Sequence, residues 1–232
     1  MTLMQDRRLL AFDDLGHLMS LQTGDEKHGP SATSTLDALW VLYDQVLNVS
    51  PATVDSPARD RFYLSKGHGP MAYYAVLAAK GFIPVAWLPD FGSFDSPLGY
   101  HPDRNLVPGV EISSGSLGHG LPLAVGTALG LRAQGLASRV VCLVGDAELD
   151  EGSNAEAIAF AGAVGLDRLT VVAVDNDSAT HGWSGGLETR FSIESWATTR
   201  VNGRDHTQLF EALTHTEPDR PTLVVAEVES KA

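Results

Sequence analysis

The 232-residue sequence has one cysteine, four lysines and few aromatic residues, and it lacks a long apolar run. The longest apolar-rich stretch, residues 117–133, contains His119 and Pro122 and falls short of the ~20 apolar residues of a transmembrane helix. The N-terminus lacks the apolar core of a signal peptide because Asp13 and Asp14 follow the first leucines. We therefore expect a cytoplasmic protein that does not contact a membrane.

Positive charge is also scarce, since 16 lysines and arginines stand against 29 acidic residues and give a net charge of −13. The basic residues are scattered among acids, whereas a nucleic-acid-binding face needs them clustered. The sequence therefore predicts no nucleic-acid partner. Cys142 has no possible intramolecular partner and lies in the apolar run 140–144, which favours a buried, unreactive thiol.

No internal repeat or charge block divides the chain, so we predict one domain over residues 1–232, with residues 1–22 as a peripheral N-terminal helix. Ser34 or Thr35 is suited to cap a second helix. Residues 61–64 predict a short strand, followed by an alanine-rich helix from 71 to 80. The five prolines within residues 84–110 predict a long loop, which in a compact domain is usually functional.

The second half of the chain alternates short Val/Leu-rich strands with helices. The predicted strands are 139–145, 169–174 and 221–228, and the predicted helices are 120–135, 148 or 153 to 164, and 207–213. Continuous apolar strands of this kind are typical of a parallel sheet that is covered on both faces. We therefore predict an α/β fold, a doubly wound, mostly parallel sheet with helices on both faces, whose ligands bind at the carboxyl ends of the strands.

Polar side chains follow two of these strands. Asp146 comes directly after the strand 139–145, and Asn176 comes shortly after the strand 169–174. A right-handed crossover would bring both to one edge of the sheet. Their oxygens suit Mg²⁺, which usually also takes phosphate oxygens, and nearby glycines let backbone N–H groups approach a diphosphate. A simpler interpretation stays open, in which Asp146 caps a helix and Asn176 is a turn residue.

The segment Gly145-Asp146-Ala147-Glu148, with Asn176 thirty residues after Asp146, resembles the thiamine diphosphate motif. Three further segments, in the same order along the chain, are similar to transketolases: residues 62–69, 100–103 and 108–120. The Ser-Lys-Gly-His sequence at 65–68 and the short chain resemble the N-terminal subunits of split transketolases. The resemblance implies the cofactors thiamine diphosphate and Mg²⁺, and a two-carbon ketol transfer from a ketose or acyl donor to an acceptor.

The resemblance also implies roles for individual residues. Mg²⁺ would be held by Asp146, Asn176 and the backbone carbonyl of Ser178. The remaining implied residues are Gly145 and Ala147 at the diphosphate, Gly115 and Leu117 at the aminopyrimidine, His28, His68 and His101 in the substrate channel, and Glu151 between the cofactor sites of a dimer. Imidazoles suit that channel because they both donate and accept protons near neutral pH.

The sequence departs from the family at several positions. Ala147 replaces the second glycine of the motif, and Ser178-Ala179 stands where the family has an apolar residue against the thiamine ring. One α/β unit leaves no room for the pyrimidine-binding domain, so we expect a separate pyrimidine-binding subunit in an α₂β₂ assembly. Two alternatives stay open: the α subunit of a thiamine-dependent 2-oxo-acid dehydrogenase or decarboxylase, and a non-catalytic scaffold subunit whose cofactor site has decayed.

Overall fold

A five-stranded sheet forms the centre of the protein in a computed structural model that describes residues 10–24 and 29–230. The strands are β1 (Arg61–Leu64), β2 (Val140–Gly145), β3 (Leu169–Asp175), β4 (Ala197–Asn202) and β5 (Thr222–Glu227). They lie in the order β1-β2-β3-β5-β4, and all four pairings are parallel. This arrangement confirms the predicted α/β class.

Helices connect the strands. The α-helices of the described residues are α1 (Leu15–Ser20), α2 (Gly29–Val41), α3 (Met71–Ala79), α4 (Gly120–Ala133), α5 (Gly152–Ala163), α6 (Gly186–Ile193) and α7 (His206–Thr214). Short 3₁₀ turns occupy Phe12–Asp14, Val85–Asp90 and Ala147–Asp150, and a π-helical turn, Leu42–Val46, follows α2. No helix in this described part is both long and apolar enough to cross a bilayer.

Both faces of the sheet are covered by helices. Successive side chains of a strand point to opposite faces, and the six residues of β2 are all buried. Val141 and Leu143 belong to the core cluster formed with α1, α2, α3 and α7, whereas Val140 and Cys142 belong to the cluster formed with α4, α5 and α6. This two-sided burial confirms the doubly wound arrangement and explains why the strand is apolar throughout.

Cys142 lies in the second of these clusters and is 0% exposed. Burial raises the pKa of its thiol well above the ordinary value, because the thiolate would be poorly solvated there. The predicted burial of this cysteine is confirmed.

Only part of the predicted helix over residues 1–22 falls within the described residues. The structure describes a 3₁₀ turn at Phe12–Asp14 and the short helix α1, and the first nine residues lie outside the described part. Leu15 and Leu18 are buried in the cluster that also contains α3. The helix is therefore integrated into the core more closely than a peripheral helix.

Helix α2 (Gly29–Val41) already includes the predicted caps Ser34 and Thr35. Ser34 and Thr35 are buried within the helix, and the Ser34 hydroxyl accepts a 2.8 Å hydrogen bond from Lys66 Nζ. The predicted helix start was therefore wrong, because these hydroxyls make contacts inside the fold.

Helix α6 and strand β4 were not predicted. The region 84–110 is a loop as predicted, apart from the 3₁₀ turn at Val85–Asp90. The turn between α4 and β2 is short and lies at the amino ends of the strands, and Gly135 within it has a φ of +70°.

Candidate functional site

The carboxyl ends of β2 and β3 bring Asp146 and Asn176 to the same edge of the sheet. Gly145, the last residue of β2, pairs in register with Val174 of β3. Asp146 follows immediately and is 2% exposed, and Asn176 is 7% exposed. The predicted juxtaposition at this edge is therefore present in the fold.

The Asp146 carboxylate accepts hydrogen bonds from its own turn and from the loop after β3. Oδ1 accepts from the Ala147 amide at 2.8 Å and from the Ser178 hydroxyl at 2.5 Å. Oδ2 accepts from the Ser178 amide at 2.6 Å and from the Ala179 amide at 3.1 Å. Asp146 thus caps the 3₁₀ turn Ala147–Asp150, as the simpler interpretation of the sequence proposed, and also fixes the Ser178 loop.

The donor atoms at this edge suit a Mg²⁺ ion. Asn176 is 7% exposed, and its side-chain amide can contribute an oxygen beside the Asp146 carboxylate. A carboxylate, an amide oxygen and a backbone carbonyl form a hard-oxygen set. Among the described residues no three His, Cys, Asp or Glu side chains form a metal-binding group. A cation here would need phosphate oxygens and water as further ligands, and it would displace the donors from Ser178.

The glycine turn, defined here as residues 115–120, lies beside this edge. Gly115 has a φ of +139°, and a Cβ there would lie 3.1 Å from the His101 ring. A Cβ on Gly67 would lie 2.3 Å from Ser114 Oγ. Leu117 is 38% exposed. The predicted residues Gly115 and His101 are therefore in contact, Leu117 lies in the same turn, and the segment that carries His68 packs against the turn.

Glu151 lies at the start of α5, against the same glycine turn. Gly118 has a φ of +82°, and a Cβ there would lie 2.6 Å from Glu151 Cβ and from Ser153 Oγ. Glu151 itself is exposed, as is His101, while His68 is half-buried. His28 lies outside the described residues.

Two buried residues at the site received no role from the sequence, although both belong to the segments that carry the resemblance. Glu148 is 2% exposed, and its Oε1 accepts hydrogen bonds from the Ser65 hydroxyl and from the Gly118 amide, the latter at 3.0 Å. Burial raises the pKa of the Glu148 carboxyl, against the opposing hydrogen bonds from Ser65 and Gly118. Glu148 Oε2 is buried without a hydrogen-bond partner among the described residues.

Lys66 also lies at this edge. Its Cδ would be 3.3 Å from a Cβ on Gly145, so its aliphatic stem covers the end of β2. Lys66 is 6% exposed, and buried lysines are rare unless they are paired. The Ser-Lys-Gly-His sequence was a signal for this segment, but not for the burial of the lysine.

Arg200 joins the carboxyl ends of the three strands β3, β4 and β5. It lies on β4, and its guanidinium donates to Asp175 at 2.8 Å, to Glu227 at 3.0 Å and to both carboxylate oxygens of Glu188 on α6. These hydrogen bonds hold α6 and the residue before Asn176 in place.

A parallel sheet with aspartate and asparagine at neighbouring strand ends, next to a glycine turn, is the arrangement of a cofactor-binding α/β protein. Residues 2–228 match the family described as transketolase, thiamine diphosphate binding domain. The chain belongs to this transketolase family.

Known proteins align with most of the chain. It is 55% identical over 225 residues to Ferredoxin fas2 of Rhodococcoides fascians, covering 97% of this chain and 74% of that protein. It is 35% identical over 206 residues to one of the subunits of the apulose-4-phosphate transketolase of Actinobacillus succinogenes, covering 86% and 75%. The solved structure of transketolase from Leishmania mexicana superposes with a TM-score of 0.77 at 23% identity, covering 95% of this chain and 37% of that one. This last likeness shows the fold alone.

The relative from Rhodococcoides fascians is named a ferredoxin, which raises the question of an iron–sulfur cluster. Ferredoxin clusters are held by four cysteine thiolates, whereas this sequence has one cysteine. The 232 residues therefore do not supply such a set of ligands.

Proposed function

We propose that the chain is the diphosphate- and Mg²⁺-binding subunit of a two-component, thiamine-dependent transketolase-like enzyme that transfers a two-carbon ketol unit. The observation that carries the proposal is the position of Asp146 and Asn176, buried at neighbouring strand ends beside the glycine turn. Family membership supports thiamine diphosphate as the cofactor. The cofactor would supply the carbanion chemistry, and the protein would supply its position and the movement of protons.

The residues at the carboxyl edge divide this task. Asp146, Asn176 and the Ser178 carbonyl would hold Mg²⁺, after the Ser178 and Ala179 donors leave the Asp146 carboxylate. The backbone of Gly145 and of Ala147 would approach the diphosphate, where the Ala147 methyl narrows the space compared with glycine.

Substrate would approach from the side of the glycine turn. The backbone of Gly115 and Leu117 would hold the aminopyrimidine ring. His101 is exposed over Gly115, where its imidazole can donate a hydrogen bond to a substrate oxygen. His68 and His28 would line the same channel, and Glu151 would connect cofactor sites across a dimer.

A second subunit would complete the site. The relative from Actinobacillus succinogenes is itself named as one subunit of a transketolase, which supports a separate pyrimidine-binding partner. We propose an α₂β₂ assembly in which this chain has no activity alone. The substrates are a ketose or acyl donor and a small acceptor.

The test is isothermal titration of thiamine diphosphate and MgCl₂ into the chain purified with a pyrimidine-binding transketolase subunit from the same organism. We expect cofactor-dependent heat with the wild-type chain and none with Asp146→Ala. The matched control is Asp13→Ala, an exposed aspartate on the 3₁₀ turn before α1, which should bind like the wild type. Equal binding by Asp146→Ala would remove Asp146 from the ligand set.

The same preparation separates the alternatives. A complex that binds cofactor at 100 times its Kd gains about 2.7 kcal/mol of stability, so a missing thermal shift would favour a scaffold subunit. The thermal-shift measurement is necessary because internal donors already satisfy the Asp146 carboxylate. Product formation from pyruvate rather than from a ketose would indicate a 2-oxo-acid enzyme.

A further inference from the structure

Two side chains from other segments, those of Glu148 and Ser65, hold the backbone of the glycine turn by hydrogen bonds. Glu148 Oε1 accepts a 3.0 Å hydrogen bond from the Gly118 amide and another hydrogen bond from the Ser65 hydroxyl. The Ser65 oxygen in turn accepts the Gly120 amide at 3.0 Å. Two amides of the turn therefore depend on one carboxyl oxygen and one hydroxyl.

The remaining contacts tie this network to the turn that follows Asp146. The Glu148 carbonyl accepts a 2.7 Å hydrogen bond from the Asn154 side chain, and the Ser153 hydroxyl donates to the Gly118 carbonyl at 2.7 Å. Gly118 is thus bonded through both its N–H and its C=O. The end of β1, the glycine turn and the start of α5 are joined in one network.

Steric fit leaves this turn few other conformations. A Cβ on Gly120 would lie 2.3 Å from Ser65 Cβ, and one on Gly118 would lie 2.6 Å from Glu151 Cβ. The side chains of the turn, those of Ser116, Leu117 and His119, are exposed, so the contacts that hold the turn are made by its backbone. A change at Glu148 should therefore displace the turn rather than be absorbed locally.

We propose that Glu148 is a positioning residue, whose Oε1, shared between the Ser65 hydroxyl and the Gly118 amide, fixes the glycine turn in the conformation that receives the cofactor. The inference rests on the function proposed above. Oε2 of the same carboxyl is buried without a partner among the described residues, and such a buried polar atom carries a cost that an apolar side chain would avoid. The presence of a carboxyl here despite that cost points to a role at the site.

The test compares two replacements of similar size. Glu148→Gln keeps an acceptor oxygen for Ser65 and Gly118, and Glu148→Met removes it. In the complex with the pyrimidine-binding subunit, we expect Glu148→Met to raise the Kd of thiamine diphosphate about tenfold or more, and Glu148→Gln to stay within about threefold of the wild type. Glu156→Met, which replaces a glutamate on α5 away from the glycine turn, is the matched control and should bind like the wild type.

Ser65→Ala provides a second route that does not depend on the folding of Glu148→Met. It should raise the same Kd, and the double variant with Glu148→Met should bind no worse than Glu148→Met alone, because both changes break one network. In the cofactor-free chain, hydrogen exchange at the Gly118 and Gly120 amides should quicken in Glu148→Met and Ser65→Ala, and not in Glu148→Gln.

The outcomes distinguish the two proposals. No cofactor binding by the wild-type complex would overturn the function and this inference with it. A wild type that binds, together with Glu148→Met and Ser65→Ala variants that bind equally well, would overturn the role of Glu148 alone. Equal losses in Glu148→Gln and Glu148→Met would also overturn it, because the acceptor oxygen would then not be the feature that matters.

Discussion

The Ser178 hydroxyl should compete with the metal for Asp146, so its removal should strengthen Mg²⁺ binding. The hydroxyl donates to Asp146 Oδ1 at 2.5 Å, and a cation on that oxygen would displace it. Ser178→Ala removes this competitor and leaves the Ser178 backbone carbonyl, the proposed ligand, in place.

The magnitude follows from the kind of hydrogen bond that is lost. A hydrogen bond to a charged group contributes about 1.5–3 kcal/mol, which corresponds to a factor of about 10 to 150 in an equilibrium constant. The amides of Ser178 and Ala179 still donate to Oδ2 in the variant, so the loop keeps part of its closed state. We therefore expect Mg²⁺ to bind about tenfold more tightly, at the lower end of that range.

The assay is a titration of MgCl₂ into the two-subunit complex at fixed thiamine diphosphate, with the Kd of Mg²⁺ as the readout. Ser192→Ala is the matched control, because the Ser192 hydroxyl is exposed on α6 and donates to the Thr189 carbonyl, away from Asp146. An unchanged or weaker Mg²⁺ affinity in Ser178→Ala would refute the competition.

Two further predictions concern the stability of the fold. Gly120→Ala should destabilise the chain, because its Cβ would lie 2.3 Å from Ser65 Cβ, whereas Gly126→Ala on the same helix has open space and should stabilise it by about 0.5–1 kcal/mol; denaturant unfolding measures both. The hydrogen bond from Arg200 lowers the pKa of Glu188. The stabilisation of the fold by this ion pair is therefore present above the ordinary carboxyl pKa and is lost as the pH falls through the lowered pKa. Arg200→Gln should flatten the decline in melting temperature between about pH 5 and pH 3, and parallel curves would contradict this.

The buried strands could be predicted from the sequence because burial on both faces leaves a continuous apolar signal. The predicted strand 61–64 coincides with β1, and 169–174 differs from β3 by one residue. Strand β4 was missed because Ala197–Asn202 lies at the sheet edge and only two of its residues are buried. Its central Thr-Thr-Arg segment therefore resembles a polar loop, and its pairing with β5 is a tertiary contact that no local pattern records.

The candidate site was predictable where it depends on strand ends, and not where it depends on side-chain networks. Asp146 and Asn176 could be placed at one edge because parallel strands have a fixed direction. The bonds of the Ser178 hydroxyl and of Glu148 could not be foreseen, because they join segments up to 83 residues apart. The helix start was wrongly predicted at Ser34 for the same reason, because the Ser34 hydroxyl accepts a hydrogen bond from Lys66, in a distant segment of the chain.

The short turn between α4 and β2 offers a place to attach a probe. It lies at the amino-terminal edge of the sheet, and the six residues of β2 separate it from Asp146 by about 20 Å at ~3.3 Å per residue. Gly135 and Ala137 in this turn are exposed, and Gly135 has open space around it. A fluorophore on a cysteine introduced at Ala137 would report assembly with the partner subunit at a distance from the proposed chemistry, and buried Cys142 would not compete for the label.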